Sequence, residues 1–457
     1  MVPDPAPGRR RAPTGLATRR AALDILTRVE RDRAFADVLL GHRLAAFAKP
    51  ADRRLVTELV LGVSAWRGRL DYELAQLSRL PLAQLDPIVL NVLRIGLYQL
   101  RRLTRTPPHA IIDTAVSLAR EHRRETHIGG FVNAVLRAAQ RTAVALPDRR
   151  RDELDYLAIA YSHPRWLAEK LVEWFGTAEA EALMAAHNEP APNVLRLNLA
   201  RGTPATLLAS IEREGMTIAR RGLLPETVYL KGAAIFASSA YGDGLFLPQS
   251  EASQMVTRLL DPSPGATVID LAAAPGGKTT HLAELVGRDG RVIACDASFV
   301  GLKRIRELAR RLHHPQVLVV RCDSARGVPL PSASAAAVLL DAPCTGLGTL
   351  REHPELRWRL QPDDFARMAK LQLPMLHQAA ATVKPGGVLV YSVCSLAPEE
   401  GEKVVAEFLR TNPQFVVQPP TTGPLAPLIN RDGFLRTRPD REARDGFFAA
   451  RLARRQL

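Results

Sequence analysis

The sequence predicts a multidomain chain: an all-α N-terminal domain, a small α+β middle module and a C-terminal doubly wound α/β domain of the Rossmann-like class. Three observations carry this. Apolar residues at helical spacing fill the N-terminal part, with no strand-like alternation. Short apolar runs alternate with helical stretches in the C-terminal part, as buried parallel strands and their crossover helices do. The length of 457 residues also exceeds what one hydrophobic core usually organises.

The first element is a basic tail over 1–18. The first twenty residues hold five Arg against one Asp, with Pro3, Pro5 and Pro7 close together. Such a segment buries nothing and is expected to be disordered, available to a polyanion. It has no apolar stretch, so it does not read as a signal peptide.

Helices are expected over 19–142. The clearest is DPIVLNVLRIGLYQL at 86–100, where Val89, Val92, Leu93, Gly96, Leu97 and Leu100 fall on one face. Asp86 followed by Pro87 is an N-cap and first-turn pair. RRAALDILTRVE, ADRRLVTELVLGVSAWRGRL and THIGGFVNAVLRAAQR supply further helices.

The middle region, 143–250, begins with a polar, basic stretch that reads as a linker to about residue 160. Pro164 then opens a helix expected to reach Trp174. NVLRLNLARGTPATLLASIEREG reads strand, turn, helix, and TVYLKGAAIFASSAYGDGLFLPQSEASQMVTRLL adds short strands and a helix. The residues of this module point to no chemistry of their own.

Over 251–457 the apolar runs are TVIDLAAA, RVIACDAS, QVLVVRCD, AAVLLDAP and GVLVYSVCS. Each ends near a polar or small residue: Asp270, Asp296, Asp323, Asp341 and Ser392 to Ser395. In doubly wound sheets ligands bind off the carboxyl ends of the strands. Repeated placement of acids there is the strongest positional signal in the chain.

After the first of these strands comes DLAAAPGGKTTHLAEL. A P-loop needs glycine five positions before Gly277, and Ala272 stands there. The GxGxxG fingerprint is also missing. What remains is a loop over 272–278 (Ala272, Ala273, Ala274, Pro275, Gly276, Gly277, Lys278) that lets a ligand approach the backbone. At a helix N-terminus it suits the carboxylate of S-adenosylmethionine, and Lys278 can pair with that carboxylate or with RNA. Asp296 is placed to accept from ribose hydroxyls, and Asp323 from the adenine amino group.

Cys344 and Cys394 both fall at the carboxyl edge of the sheet. Carbon 5 of cytosine is a poor nucleophile until a thiolate adds to carbon 6. One cysteine and an acid near N3 and N4 are the minimum set. Asp341 suits the acid role, and the residues alone leave Cys344 and Cys394 both open as nucleophile. Cys295 and Cys322 lie in apolar strands and read as small buried hydrophobes. No cysteine pair has CxxC spacing, so no metal is expected, and four cysteines in this length fit a reducing cytoplasm. No apolar run is long enough to span a membrane.

DLAAAPGGKT, DAPCTGLGTLREHPELRW and YSVCSLAPEEGE, with FLPQSEASQ upstream and DGFFAARL near the end, resemble the motifs of the Sun/NOL1/NOP2 family of RNA cytosine-5 methyltransferases. RLVTELVLGV, LRIGLYQL and GGFVNAVLR resemble a NusB-type helical RNA-binding domain. The resemblance spans about 19–455 and is specific in the methyltransferase motifs. It implies an S-adenosylmethionine-dependent enzyme of the bacterial branch acting on 16S ribosomal RNA; a monomer is expected, though no residue pattern fixes the oligomeric state. It implies Cys394 as nucleophile and Cys344 in product release, with cofactor contacts at 272–278, Asp296, Asp323 and Asp341. Two positions depart from the pattern: Val393 stands where Thr is common, and Ala272 where Cys is common. A tRNA substrate, or a non-catalytic RNA-binding assembly factor, stays open beside this reading.

A net charge of +15 agrees with a polyanionic partner, since each neutralised phosphate releases counterions. Arg351, Arg357 and Arg359 around Trp358 are the expected RNA grip, cations for phosphates and an indole for a base. The stretch 431–457 adds eight Arg against four acids.

Overall fold

The computed structural model describes residues 15–122, 126–232, 235–441 and 443–456, in two compact units. One unit holds the chain through Glu189 together with Leu350–Arg359, and the other holds Pro190–Thr349 and Leu360–Leu457. Of the expected tail, 1–14 fall outside the described residues, while Leu16 already opens the first helix.

The first unit is helical: Leu16–Arg31, Ala36–Leu44, Pro50–Leu77, Pro87–Arg102, Pro108–His122 and Thr126–Arg141 share one core. Asp86 caps its helix as expected, its Oδ1 accepting from the Ile88 N–H at 2.8 Å. Gly96 lets the Pro87–Arg102 and Thr126–Arg141 helices close on each other. A Cβ there would stand 2.6 Å from a Leu136 methyl. Arg94 is buried and held by Asp71 at 2.6 and 2.7 Å and Glu30 at 2.6 Å.

The expected linker is partly helical. Asp152 caps a helix at Glu153–Ala160, its carboxylate accepting from the Asp155 N–H. This helix buries only Leu157 and Ala158, so its sequence carries too little periodicity to be read as helix. Helices Arg165–Phe175 and Thr177–Ala186 follow, the first opened by Pro164 as expected.

The segment Leu350–Arg359 also folds into this unit, which corrects the RNA grip. Arg357 is 0% exposed and donates to the carbonyls of Ala65, Ser162 and His187 and to Asn188 Oδ1. Trp358 donates its indole N–H to Ser64 O at 2.7 Å, and Arg359 donates to the carbonyls of Val29 and Ala34. Arg351 is buried, its Nε 3.4 Å from Glu189 O. These cations are bonded within the helical unit, so they do not form the phosphate and base platform that their spacing suggests.

The second unit begins with an antiparallel sheet of β1 (Asn193–Leu197), β2 (Thr217–Arg221), β3 (Thr227–Lys231) and β4 (Phe246–Pro248), ordered β2-β3-β1-β4. The larger sheet contains β5 (Thr267–Leu271), β6 (Arg291–Asp296), β7 (Val317–Arg321), β8 (Ala335–Asp341), β9 (Val383–Val393), β10 (Phe415–Val417), β11 (Phe434–Thr437) and β12 (Phe447–Arg454). Its order is β10-β12-β9-β8-β5-β6-β7, with β11 on β12. The five expected strands, β5 to β9, are parallel. The sheet is mixed because β12 runs antiparallel to β9.

Alternate residues of the central strands face opposite cores. Ile269, Leu271, Val338 and Leu340 pack with Leu376 and Phe408. Val268, Ala337 and Leu339 pack with Met255 and Leu282. Helices therefore cover both faces, which makes central strands apolar throughout. Strand order reverses between β5 and β8, opening a crevice off their carboxyl ends.

Candidate active site

The loop after β5 enters that crevice. Ala272 adopts a left-handed conformation, φ 58°, and the Ala273 N–H bonds Cys295 O at 2.9 Å. Gly276, φ 107°, begins the helix Gly277–Val286. A Cβ at Gly276 would lie 3.2 Å from the Ile305 Cα, so glycine satisfies both the turn and the packing. The first N–H groups of the helix have no partner within it.

Asp296 ends β6 and is half-buried. Its Oδ2 accepts from the Ala274 N–H at 2.9 Å and its Oδ1 from the Ser298 N–H at 2.7 Å. One carboxylate thus holds the first loop beside the second. Asp323 lies beyond β7, is exposed, accepts from the Ala325 N–H at 3.1 Å and pairs with Arg326 at 3.2 Å. Asp270, read in sequence as a strand-end acid, is instead 0% exposed inside β5. Its Oδ2 accepts from Thr279 Oγ1 at 2.6 Å, while Oδ1 is buried with no hydrogen-bond partner. Burial, countered only in part by Thr279, raises its carboxyl to about 7.

Asp341 closes β8. Lys278 Nζ donates to its Oδ2 at 2.8 Å and Ser392 Oγ to its Oδ1 at 2.7 Å. Lys278 is therefore already paired within the chain. Burial pulls its ammonium down most strongly, yet Asp341, Cys394 and Asp270 together hold it above the ordinary lysine range.

The two candidate cysteines meet: Cys344 Sγ and Cys394 Sγ are 3.2 Å apart. The hydrogen bond to Cys394, then burial, pushes the Cys344 thiol well above the ordinary cysteine range. Cys344 is thus the sulfur of the pair whose proton is held more tightly than in an ordinary cysteine. Cys295 and Cys322 are buried, in line with a packing role.

A buried glutamate that the sequence did not single out joins the two cysteine loops. Glu400 accepts from the Thr345 N–H at 2.9 Å, Thr345 Oγ1 at 2.5 Å, Ser395 Oγ at 2.5 Å and Gln372 Nε2 at 3.1 Å. Its main-chain carbonyl accepts from the Tyr391 hydroxyl at 2.6 Å. Burial raises its carboxyl, and these donors lower it in part. Gly348 packs against Gly446, where a Cβ would stand 1.8 Å from the Gly446 carbonyl oxygen. Val393 is 0% exposed and faces the core. The hydroxyls beside Cys394 come instead from Ser392, on Asp341, and Ser395, on Glu400.

The residues fit S-adenosylmethionine. A glycine turn at a helix N-terminus leaves N–H groups for its carboxylate. Asp296 and Asp323 supply acceptors at the ends of the next two strands, and Asp270, whose Oδ1 has no partner, accepts through Oδ2 from Thr279 in the first turn of the same helix.

Comparison with known proteins agrees across the chain. Family models match as "16S rRNA methyltransferase RsmB/F" over 257–453, "NusB family" over 16–141 and "Methyltr_RsmF/B-like, ferredoxin-like domain" over 163–236. A Bacillus subtilis protein named "Probable ribosomal RNA small subunit methyltransferase B" is 33% identical, covering 96% of this chain and 99% of its own. The Pseudomonas putida "Ribosomal RNA small subunit methyltransferase B" is 34% identical, covering 83% and 88%. A solved structure titled "Crystal Structure of PH0851" has TM-score 0.80 and 28% identity, over 98% of this chain and all of that one. A Pyrococcus horikoshii "Methyltransferase Homolog Protein" has TM-score 0.57 and 28% identity, over 67% and 99%. The methyl donor of such an enzyme is S-adenosylmethionine. With a NusB domain, a ferredoxin-like module and a Rossmann-like catalytic domain in this order, the chain belongs to the ribosomal RNA small subunit methyltransferase B family.

Proposed function

We propose that the chain methylates carbon 5 of a cytosine in 16S ribosomal RNA through a covalent bond from Cys394 to carbon 6. The observation that carries this reading is the pair of sulfurs 3.2 Å apart, beside the Lys278 and Asp341 ion pair. One thiol and one acid are what cytosine-5 chemistry needs, and the pair adds a second sulfur that holds a proton.

Cys394 Sγ adds to carbon 6, and the ring electrons move to carbon 5 as an enamine. S-adenosylmethionine supplies an electrophilic methyl group. Carbon 5 takes it, a base removes the carbon-5 proton, and the electrons left behind expel the Cys394 thiolate. Asp341, held by Lys278 and Ser392, is assigned to accept from the cytosine amino group. Cys344, hydrogen-bonded to Cys394, is assigned to product release. Lys278, whose ammonium is held above the ordinary lysine range with Cys394 among the groups that act on it, brings a positive charge to the sulfur's surroundings.

The target base must be unpaired or flipped out, because a helix hides carbon 6. Cations for the RNA backbone are present on the helix Phe299–Arg311, where Lys303, Arg304, Arg306 and Arg310 are exposed. The NusB and RsmB/F matches favour ribosomal RNA over tRNA.

Bisulfite sequencing of total RNA tests this. A deletion strain is expected to lose one protected cytosine in 16S ribosomal RNA. The wild-type gene restores it and Cys394→Ala does not. Loss of protection in a tRNA alone contradicts the substrate.

A further inference from the structure

We infer that Arg196, in β1 of the middle module, is a positioning residue for the S-adenosylmethionine loop, and that the module works as a strut for that loop. Arg196 is 0% exposed. Its Nη1 donates to the carbonyl of Gly277 at 2.6 Å and also to Gln249 Oε1. Its Nη2 donates to Thr280 Oγ1 and to Glu284 Oε1, both at 2.9 Å. Thr280 Oγ1 in turn donates to the Gly276 carbonyl at 2.9 Å.

One guanidinium therefore holds the turn at Gly276 and Gly277 and the first two turns of the helix behind it. The two glycines have no side chains to fix their own conformation, and an unheld glycine turn loses the most entropy when a ligand orders it. A preformed turn avoids that cost at binding. The strand carrying Arg196 is fixed in register, opposite Thr227 of β3 and Leu247 of β4, so the clamp starts from a rigid support. Gln249, just beyond β4, supports the same place, its Nε2 lying 3.5 Å from where a Gly277 Cβ would be. An ion pair for stability alone needs only Glu284. The bond to the Gly277 carbonyl is what ties Arg196 to the loop.

The test uses the full chain and its Arg196→Lys and Arg196→Met variants. Lys keeps a positive charge opposite Glu284 but cannot make the forked contact. The inference predicts S-adenosylmethionine binding, read by calorimetry, weakened about 10- to 100-fold in Arg196→Met and less in Arg196→Lys. The KM for RNA stays within about threefold, as does kcat at saturating cofactor. Amide exchange at Gly276, Gly277 and Lys278 in the ligand-free chain becomes about tenfold faster or more. A folded variant with wild-type cofactor affinity and unchanged exchange overturns the inference. Failure of both variants to fold also overturns it, since Arg196 then serves stability alone. Binding and exchange are read without RNA, so this outcome is independent of which base is methylated.

Discussion

Replacing Glu400 with Ala removes the acceptor that joins the Cys344 loop to the Cys394 loop. Four donors lose their partner: the Thr345 N–H and hydroxyl, the Ser395 hydroxyl and the Gln372 amide. The two hydroxyls can turn toward each other, since Thr345 Oγ1 and Ser395 Oγ are already 3.2 Å apart. The Thr345 N–H has no such alternative, while Gln372 Nε2 keeps Pro343 O at 2.9 Å. One orphaned buried donor plus a cavity gives a cost of about 3–5 kcal/mol, against about 1–2 for Glu400→Gln, which keeps the volume and one acceptor. The effect on catalysis follows from geometry. Displacing either cysteine by about 1 Å lowers kcat roughly 100-fold. S-adenosylmethionine affinity stays the same, because Glu400 touches nothing in 272–278. Urea unfolding, single-turnover methylation and calorimetry measure the three quantities. A Glu400→Ala enzyme with wild-type kcat would refute the claim that Glu400 sets the sulfur positions.

Other consequences follow from buried groups. Asp270 has its folded pKa raised from an ordinary carboxyl value to about 7, so its contribution to stability is fully present below about pH 4 and is lost as pH rises through 7. Asp270→Asn should flatten stability between pH 4 and 7 by roughly 4 kcal/mol, read by denaturant titration across that range, and an unchanged slope would contradict the assignment. Arg357→Met should destabilise the helical unit by about 3–5 kcal/mol, since four buried acceptors lose their donor, yet leave the salt dependence of RNA binding unchanged. A shallower slope of log affinity against log salt would restore Arg357 as a phosphate contact. Val393→Thr places a hydroxyl in a fully buried apolar site and should cost about 1–3 kcal/mol with kcat within about threefold, so a large gain in kcat would mean the hydroxyl belongs there.

How much of this was legible in the sequence depended on what each residue's neighbours were. The strands β5 to β9 were readable because parallel strands covered on both faces become continuous apolar runs. Asp296, Asp341, Cys344 and Cys394 were readable because the strands place their carboxyl ends in one crevice. The helix Glu153–Ala160 was not, since two buried side chains leave no period. Arg357 misled because an arginine bonded to carbonyls looks in sequence like one meant for phosphates. Glu400 and Arg196 went unnoticed for a related reason. A buried charge is explained by partners distant in the chain, as Glu284 lies 88 positions from Arg196, and no local pattern announces them. Even YSVCSLAPEEGE, which contains Glu400, draws attention to its cysteine rather than to the acid that holds it.

The central claim is the covalent bond from Cys394 to cytosine, and trapping it tests the claim most directly. Cys344→Ala removes the partner assigned to release and leaves the nucleophile in place. Incubated with 16S ribosomal RNA and S-adenosylmethionine, this variant is expected to form a denaturation-resistant complex. Peptide mass spectrometry after nuclease digestion should then show one methylated cytidine on Cys394, and the Cys344→Ala, Cys394→Ala double variant should form none. An adduct on another residue, or methylation by the double variant, would contradict the account.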